Sequence, residues 1–180
     1  MDPVTLSIGA IVGVAILWFL FAGRGGRKDS AAVLSVLGKL GPEYEVMHDI
    51  VLSTHDGMLD IDYAVVSPFG LFVINERLEP GRVNVSTGRR EWSVSHFREK
   101  GSLYNPLWRN RKVINYLQDK LGQVPMISLV VFVNARLGGQ PDSQVVPLKR
   151  LLTKMKSYTY PALDEEQQKK VLHVLGKRST

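Results

Sequence analysis

Two short stretches of the chain bring together residue types that can do chemistry at a useful spacing. The first, Asp60-Ile61-Asp62-Tyr63-Ala64-Val65-Val66, sets two carboxylates two positions apart at the head of an apolar run. The second, Gly70-Leu71-Phe72-Val73-Ile74-Asn75-Glu76-Arg77, ends another apolar run in an amide, a carboxylate and a guanidinium. Metal-dependent cleavage of phosphodiesters is often built this way. Carboxylates hold Mg²⁺ against the scissile phosphate, and a lysine two positions along the strand helps position the water. Alternation puts Asp60 on the face of Asp62 and turns Glu76 to the opposite face, whereas Glu79 lies beyond the strand and would have to fold back. The plain alternative is that Asp62 only caps or solvates a strand end.

These residues sit within a pattern that reads as one mixed α/β unit. Val33, Leu34, Leu37 and Leu40 share a helical face that Gly41-Pro42 ends. Strand-like runs follow at 44–52, 58–66 and 71–74, separated by His55-Asp56-Gly57 and Ser67-Pro68-Phe69-Gly70. Val83 and Val85 alternate into Thr87-Gly88, and Trp92 and Val94 alternate out of it, which predicts a hairpin. Helical spacing over 107–121 starts after Asn105-Pro106, and 127–133 (ISLVVFV) reads as a central strand covered on both faces. Two closing helices are predicted over 148–157 and 164–176, the second capped by Asp164.

Composition narrows the chemistry. The chain has no cysteine, which excludes a disulfide scaffold, a thiolate zinc site, an iron–sulfur cluster and a cysteine nucleophile. Its four histidines are scattered singly, which argues against a histidine-rich metal site. The net charge of +6 favours polyanions or anionic lipid as partners.

The first thirty residues differ from the rest. Val4 to Ala22 contains no charged residue and as a helix would cover about 28 Å, near the thickness of a bilayer core. Residues 1–23 are therefore expected to form a transmembrane anchor, and 24–29 a basic, glycine-rich hinge. Arg24, Arg27 and Lys28 follow the run while no Lys or Arg precedes it. Positive charge stays cytoplasmic, so the chain is expected in the cell membrane as a single pass with its N-terminus outside and residues 30–180 in the cytoplasm. Gly9 and Gly13 have the spacing through which two such anchors pack, although glycines are common in membrane helices.

The ordered series MHDIVL at 47–52, DIDYAVVSPFGLFVIN at 60–75, Gly81, Trp92 and NPLWRN at 105–110 resembles the nuclease-related domain (NERD) family. That resemblance spans about residues 30–135. It implies a restriction-endonuclease-like α/β sandwich with mixed sheets and a metal-binding aspartate at Asp62. It also places Asn75 at the position of the family's catalytic glutamate, Arg77 at that of its lysine, and Arg109 where glutamine is usual. The first-helix glutamate would fall near Ser30. Asp62, Asn75 and Arg77 are thus expected to form a vestigial catalytic cleft, because asparagine binds Mg²⁺ more weakly than carboxylate and arginine hardly ever releases its proton.

The expected function is a membrane-tethered, non-catalytic module that binds nucleic acid, anionic lipid or protein, with no resident cofactor. The alternatives are a weak Mg²⁺-dependent nuclease using Asp60 and Asp62 as ligands, and a scaffold that binds protein alone. Arg89 and Arg90 at the hairpin tip, with Arg109, Arg111 and Lys112 on the following helix, are the candidate nucleic-acid contacts, flecked by Tyr104, Trp108 and Arg98. Solvated turns and helix faces have the same composition. Lys149, Arg150, Lys154 and Lys156 form a second basic cluster that the tether would hold near lipid headgroups.

Overall fold

The structure is a computed structural model that describes residues 31–55, 57–140 and 142–176. The apolar run Val4 to Ala22, the Gly9/Gly13 pair, the hinge and Ser30 lie outside the described residues. Among the described residues no helix is long and apolar enough to cross a membrane.

Helix α1 covers 31–37. After it come β1 (Glu45–Thr54), β2 (Gly57–Ser67) and β3 (Gly70–Arg77), then β4 (Gly81–Val85), β5 (Glu91–His96) and β6 (Glu99–Tyr104). Helix α2 (Pro106–Leu121) leads to β7 (Met126–Phe132), β8 (Ala135–Gly139) and β9 (Val145–Pro147). A 3₁₀ turn at Leu148–Arg150, α3 (Leu151–Lys156) and α4 (Glu165–Gly176) close the order. The result is a mixed α/β fold with two mixed sheets, consistent with a restriction-endonuclease-like architecture. The first sheet has the order β1-β2-β3-β7-β9 and the second β6-β5-β4-β8.

The first sheet is covered on both faces, as its unbroken apolar runs require. On one face α1 and α3 insert Val33, Leu37, Leu151 and Met155 against Val65, Phe72, Ile74 and Val131. On the other, α2 and α4 supply Val113, Leu117, Leu121, Val171 and Leu175 against Ala64, Val66, Leu71 and Val73. The same face of β7 continues through Val130 and Phe132 into the inner surface of the second sheet, where Val83, Val85, Trp92 and Leu103 pack. Trp92 is 1% exposed, stacks on Phe132 with ring centroids 6.4 Å apart, and donates its indole N–H to the Ser86 carbonyl at 2.6 Å.

Several local readings match their elements. Asp164 caps α4 in a reciprocal box: its carboxylate accepts from the Gln167 N–H at 2.8 Å, and the Gln167 side chain accepts from the Asp164 N–H at 3.0 Å. Ser67 holds the turn into β3 by accepting from the Phe69 N–H and donating to the Gly70 carbonyl. The hairpin expected at 83–94 is only part of a four-stranded sheet, because β6 and β8 flank it. The closing helix expected over 148–157 is a 3₁₀ turn followed by six α-helical residues.

Candidate functional site

The ladder between β2 and β3 ends at the pair Tyr63–Ile74. One step further, Asp62 and Asn75 face each other with their side chains on the α2 side of the sheet. The Asp62 carboxylate takes over where the ladder stops. Its Oδ2 accepts from Asn75 Nδ2 at 2.7 Å and from the Glu76 backbone N–H at 2.8 Å. Its Oδ1 lies 3.4 Å from Nη2 of Arg109 on α2. Arg77, two residues beyond Asn75 on the same face, binds Glu79 through two guanidinium nitrogens.

Each of the two carboxylates therefore meets one guanidinium, and the neutral Asn75 amide adds a donor to Asp62. Burial raises the pKa of Asp62 above the usual carboxylate value, while the Glu76 N–H, Arg109, Arg77 and the Asn75 amide pull it down. Glu76 occupies the opposite face, where it accepts from the Tyr63 hydroxyl at 3.0 Å.

Helix α2 is held against this site by two asparagines, Asn105, which the sequence marked only as the helix start, and Asn110, to which sequence reasoning assigned no role. Asn105 caps the helix, accepting from the Leu107 N–H at 3.0 Å. Its amide donates to the carbonyls of Thr87 and Arg89, which fastens the β4–β5 turn to the helix start. Asn110, 3% exposed, places its Nδ2 within hydrogen-bonding distance of the Val73 and Leu129 carbonyls and the Ser128 hydroxyl. It thereby pins α2 across β3 and β7. A polar residue in the buried stripe of an amphipathic helix was the available signal.

Asp60 corrects an expectation. Strict alternation would set it beside Asp62, but β2 does not alternate strictly here. Ile61 and Ala64, three residues apart, both enter the core cluster on the α2 side, and Asp49, across from Asp62 on β1, has φ 53. Asp60 pairs with the exposed Val51, and only its backbone carbonyl approaches the site, 3.5 Å from Arg109. Glu79 does fold back, but onto Arg77. Arg109 turns inward to Asp62, so it does not share an outer face with Arg111 and Lys112. Arg98 sits at the β5–β6 turn, away from α2.

The arrangement does not fit a magnesium ion. Among the described residues no group of three or more His, Asp or Glu side chains converges on one point. Asn75 would bind a cation through Oδ1, yet its Nδ2 faces Asp62, and Oδ1 is buried without a hydrogen-bond partner. Turning the amide over would set two acceptor oxygens against each other. Both Asp62 oxygens already receive donors.

Comparison with known proteins agrees with this reading of the fold. The chain is 27% identical over 161 residues to an uncharacterized protein of Bacillus anthracis, covering 83% of this chain and 74% of that one. No solved structure matches the chain. The family model for the nuclease-related domain matches residues 22–133, more than half of the sequence, and the chain belongs to that family.

Proposed function

We propose that this chain is a membrane-tethered nuclease-related domain that holds nucleic acid without cutting it. The observation that carries the reading is the engagement of the Asp62 carboxylate by Asn75 and the Glu76 N–H on one oxygen and by Arg109 at 3.4 Å on the other. A hydrolytic Mg²⁺ site needs free carboxylate oxygens and a position open to water. Here the Arg109 guanidinium stands against the aspartate instead. The basic excess of the chain then serves binding, with phosphate as the matching ligand chemistry. The tether is proposed from Val4 to Ala22, with the basic flank on the cytoplasmic side. Lys154 and Lys156 lie on α3, which shares a face of the first sheet with α1, the first element after the hinge. This supports contact between α3 and headgroups.

The test is a cleavage assay on the purified chain with Mg²⁺ or Mn²⁺, using plasmid and single-stranded DNA. No cleavage is expected, and Asp62→Ala should change nothing. Cleavage that disappears in Asp62→Ala and in chelator would overturn the reading and establish a nuclease. Salt-dependent binding of DNA or RNA separates the proposal from a scaffold that binds protein alone. Protease added to intact cells should spare residues 24–180; their complete digestion from outside refutes the topology.

A further inference from the structure

The outer face of the second sheet takes no part in the site around Asp62. Val83, Val85, Trp92 and Leu103 point inward, so the residues between them point out. Read across β6-β5-β4-β8, the register sets Lys100, Ser95, Arg82 and Arg136 in one row, and Ser102, Ser93, Asn84 and Gly138 in the next. Arg82, Arg136 and Lys100 are exposed, and among the described residues none of them forms an ion pair.

Like charges directly opposite on neighbouring strands cost stability, yet Arg82 and Arg136 are such a pair. Gly138 makes room for the arrangement. A Cβ there would lie 2.9 Å from both Nε and Nη2 of Arg82, so the guanidinium rests on the bare backbone of β8. Glu91, the one carboxylate that alternation sends to this face, lies at the far end opposite Tyr104.

Aromatic rings mark both ends. At the β5–β6 turn Phe97 is 95% exposed with φ 52, a conformation that bulky side chains rarely adopt. Tyr104 is 45% exposed and lies under the Arg90 guanidinium, 5.8 Å from its ring centre. Between the ends, Asn84, Ser93 and Ser102 line a shallow depression of about 470 Å³ that also reaches Arg89 and Glu91.

We infer that this face binds single-stranded nucleic acid, with Arg82, Arg136 and Lys100 contacting backbone phosphates and Phe97 and Tyr104 stacking on bases. The inference rests on the proposed function and adds the surface and the strandedness. A cationic row lacking acidic partners selects a polyanion, and at ~4.8 Å between strands it spans about 14 Å along the sheet. Ring faces at the ends suit unpaired bases, which stack with little regard to sequence. A lipid surface fits less well. Helix α1, which follows the apolar run and hinge, packs on the opposite face of the first sheet from the second sheet.

The experiment is fluorescence anisotropy with the full chain in detergent micelles and a labelled fifteen-nucleotide oligo-dT, titrated with salt. Reversing two charges (R82E with R136E) should weaken binding at least tenfold and flatten the salt slope by ~0.7 for each phosphate no longer neutralised. Phe97→Ala should weaken binding about tenfold with the slope unchanged. Circular dichroism checks that these exposed substitutions leave the fold intact. Retained affinity in the face variants, with loss in R111E/K112E, overturns the inference but leaves the proposed function standing. No salt-dependent binding of any nucleic acid by the unmodified chain overturns both. Tighter binding to a duplex, or to vesicles containing phosphatidylglycerol, lost in the same face variants, overturns the single-strand assignment.

Discussion

Replacing Asn75 by aspartate probes the polar cluster with the smallest change of shape. Asn75→Asp keeps the volume but removes the amide that donates to Asp62 at 2.7 Å, and it sets a second carboxylate at a position 2% exposed. Two unit charges relaxed to about 4 Å, at an effective dielectric constant of about 20, repel by about 4 kcal/mol. Arg77 and Arg109 would return part of this, so a net loss of about 2–3 kcal/mol at pH 8 is expected. For a domain of this size that lowers the melting temperature by roughly 5–12 °C. The pair will share a proton, with a folded pKa raised above that of an unfolded carboxylate. Its protonated form is favoured in the folded state. The lost stability is therefore recovered as pH falls through that raised value, and absent at alkaline pH. Thermal melts of the full chain at pH 5 and pH 8, with and without 10 mM Mg²⁺, read the outcome. Mg²⁺ should raise the melting temperature of the variant at pH 8 and leave the unmodified chain unchanged. Equal stabilisation of the unmodified chain by Mg²⁺ would refute the claim that the donors around Asp62 leave no magnesium site, and a variant as stable as its parent at pH 8 would refute the repulsion.

Asp62→Asn tests the raised pKa of Asp62. The carboxylate is favoured as its acid in the folded state, so its contribution is present below the unfolded pKa and lost as pH rises through the folded one. Melts across pH 3–8 should show the parent losing stability relative to the variant as pH rises, and a constant offset would contradict this. Asn105→Ala should cost about 1 kcal/mol through the lost cap and speed amide exchange in the β4–β5 turn that Asn105 holds; an unchanged exchange rate there would remove its fastening role. Trp92→Phe should cost about 1–2 kcal/mol, through the smaller buried ring and the lost indole bond to the Ser86 carbonyl, which keeps the Arg89 N–H as a donor, as read by thermal melting. A neutral outcome would mean that water replaces the indole N–H.

Signals written within a few residues of one another were legible in the sequence. Ser67-Pro68-Phe69-Gly70 states its turn, Asn105-Pro106 and Asp164 state two helix starts, and the run at 127–133 has no polar face to place outward. Strands that exist because a partner accepts them were not legible. In β6 (EKGSLY) only Leu103 is buried, and β8 (ARLGG) carries two glycines, which a local pattern reads as loop. The site divides the same way. Alternation correctly separated Asn75 and Arg77 from Glu76, since β3 is regular throughout. It misjudged Asp60, since the inward positions of β2 change parity between Ile61 and Ala64. Arg109 read as an outward cation because its partner lies on another element, and nothing near position 109 announces an aspartate at 62.

The parallel pairing of β4 with β8 imposes an order on how the molecule is made. Gly81 meets Ala135 and Val85 meets Gly139, so the second sheet stays one strand short until the chain has been synthesised past β8. Its inner surface must wait as well, because Val130 and Phe132, against which Trp92 packs, arrive only with β7. Pairings of such sequence separation form late and slowly. A growing chain, surrounded by ribosomal RNA, would thus carry Arg82 and Lys100 without Arg136 beside them. The complete cationic row becomes a property of the finished protein alone.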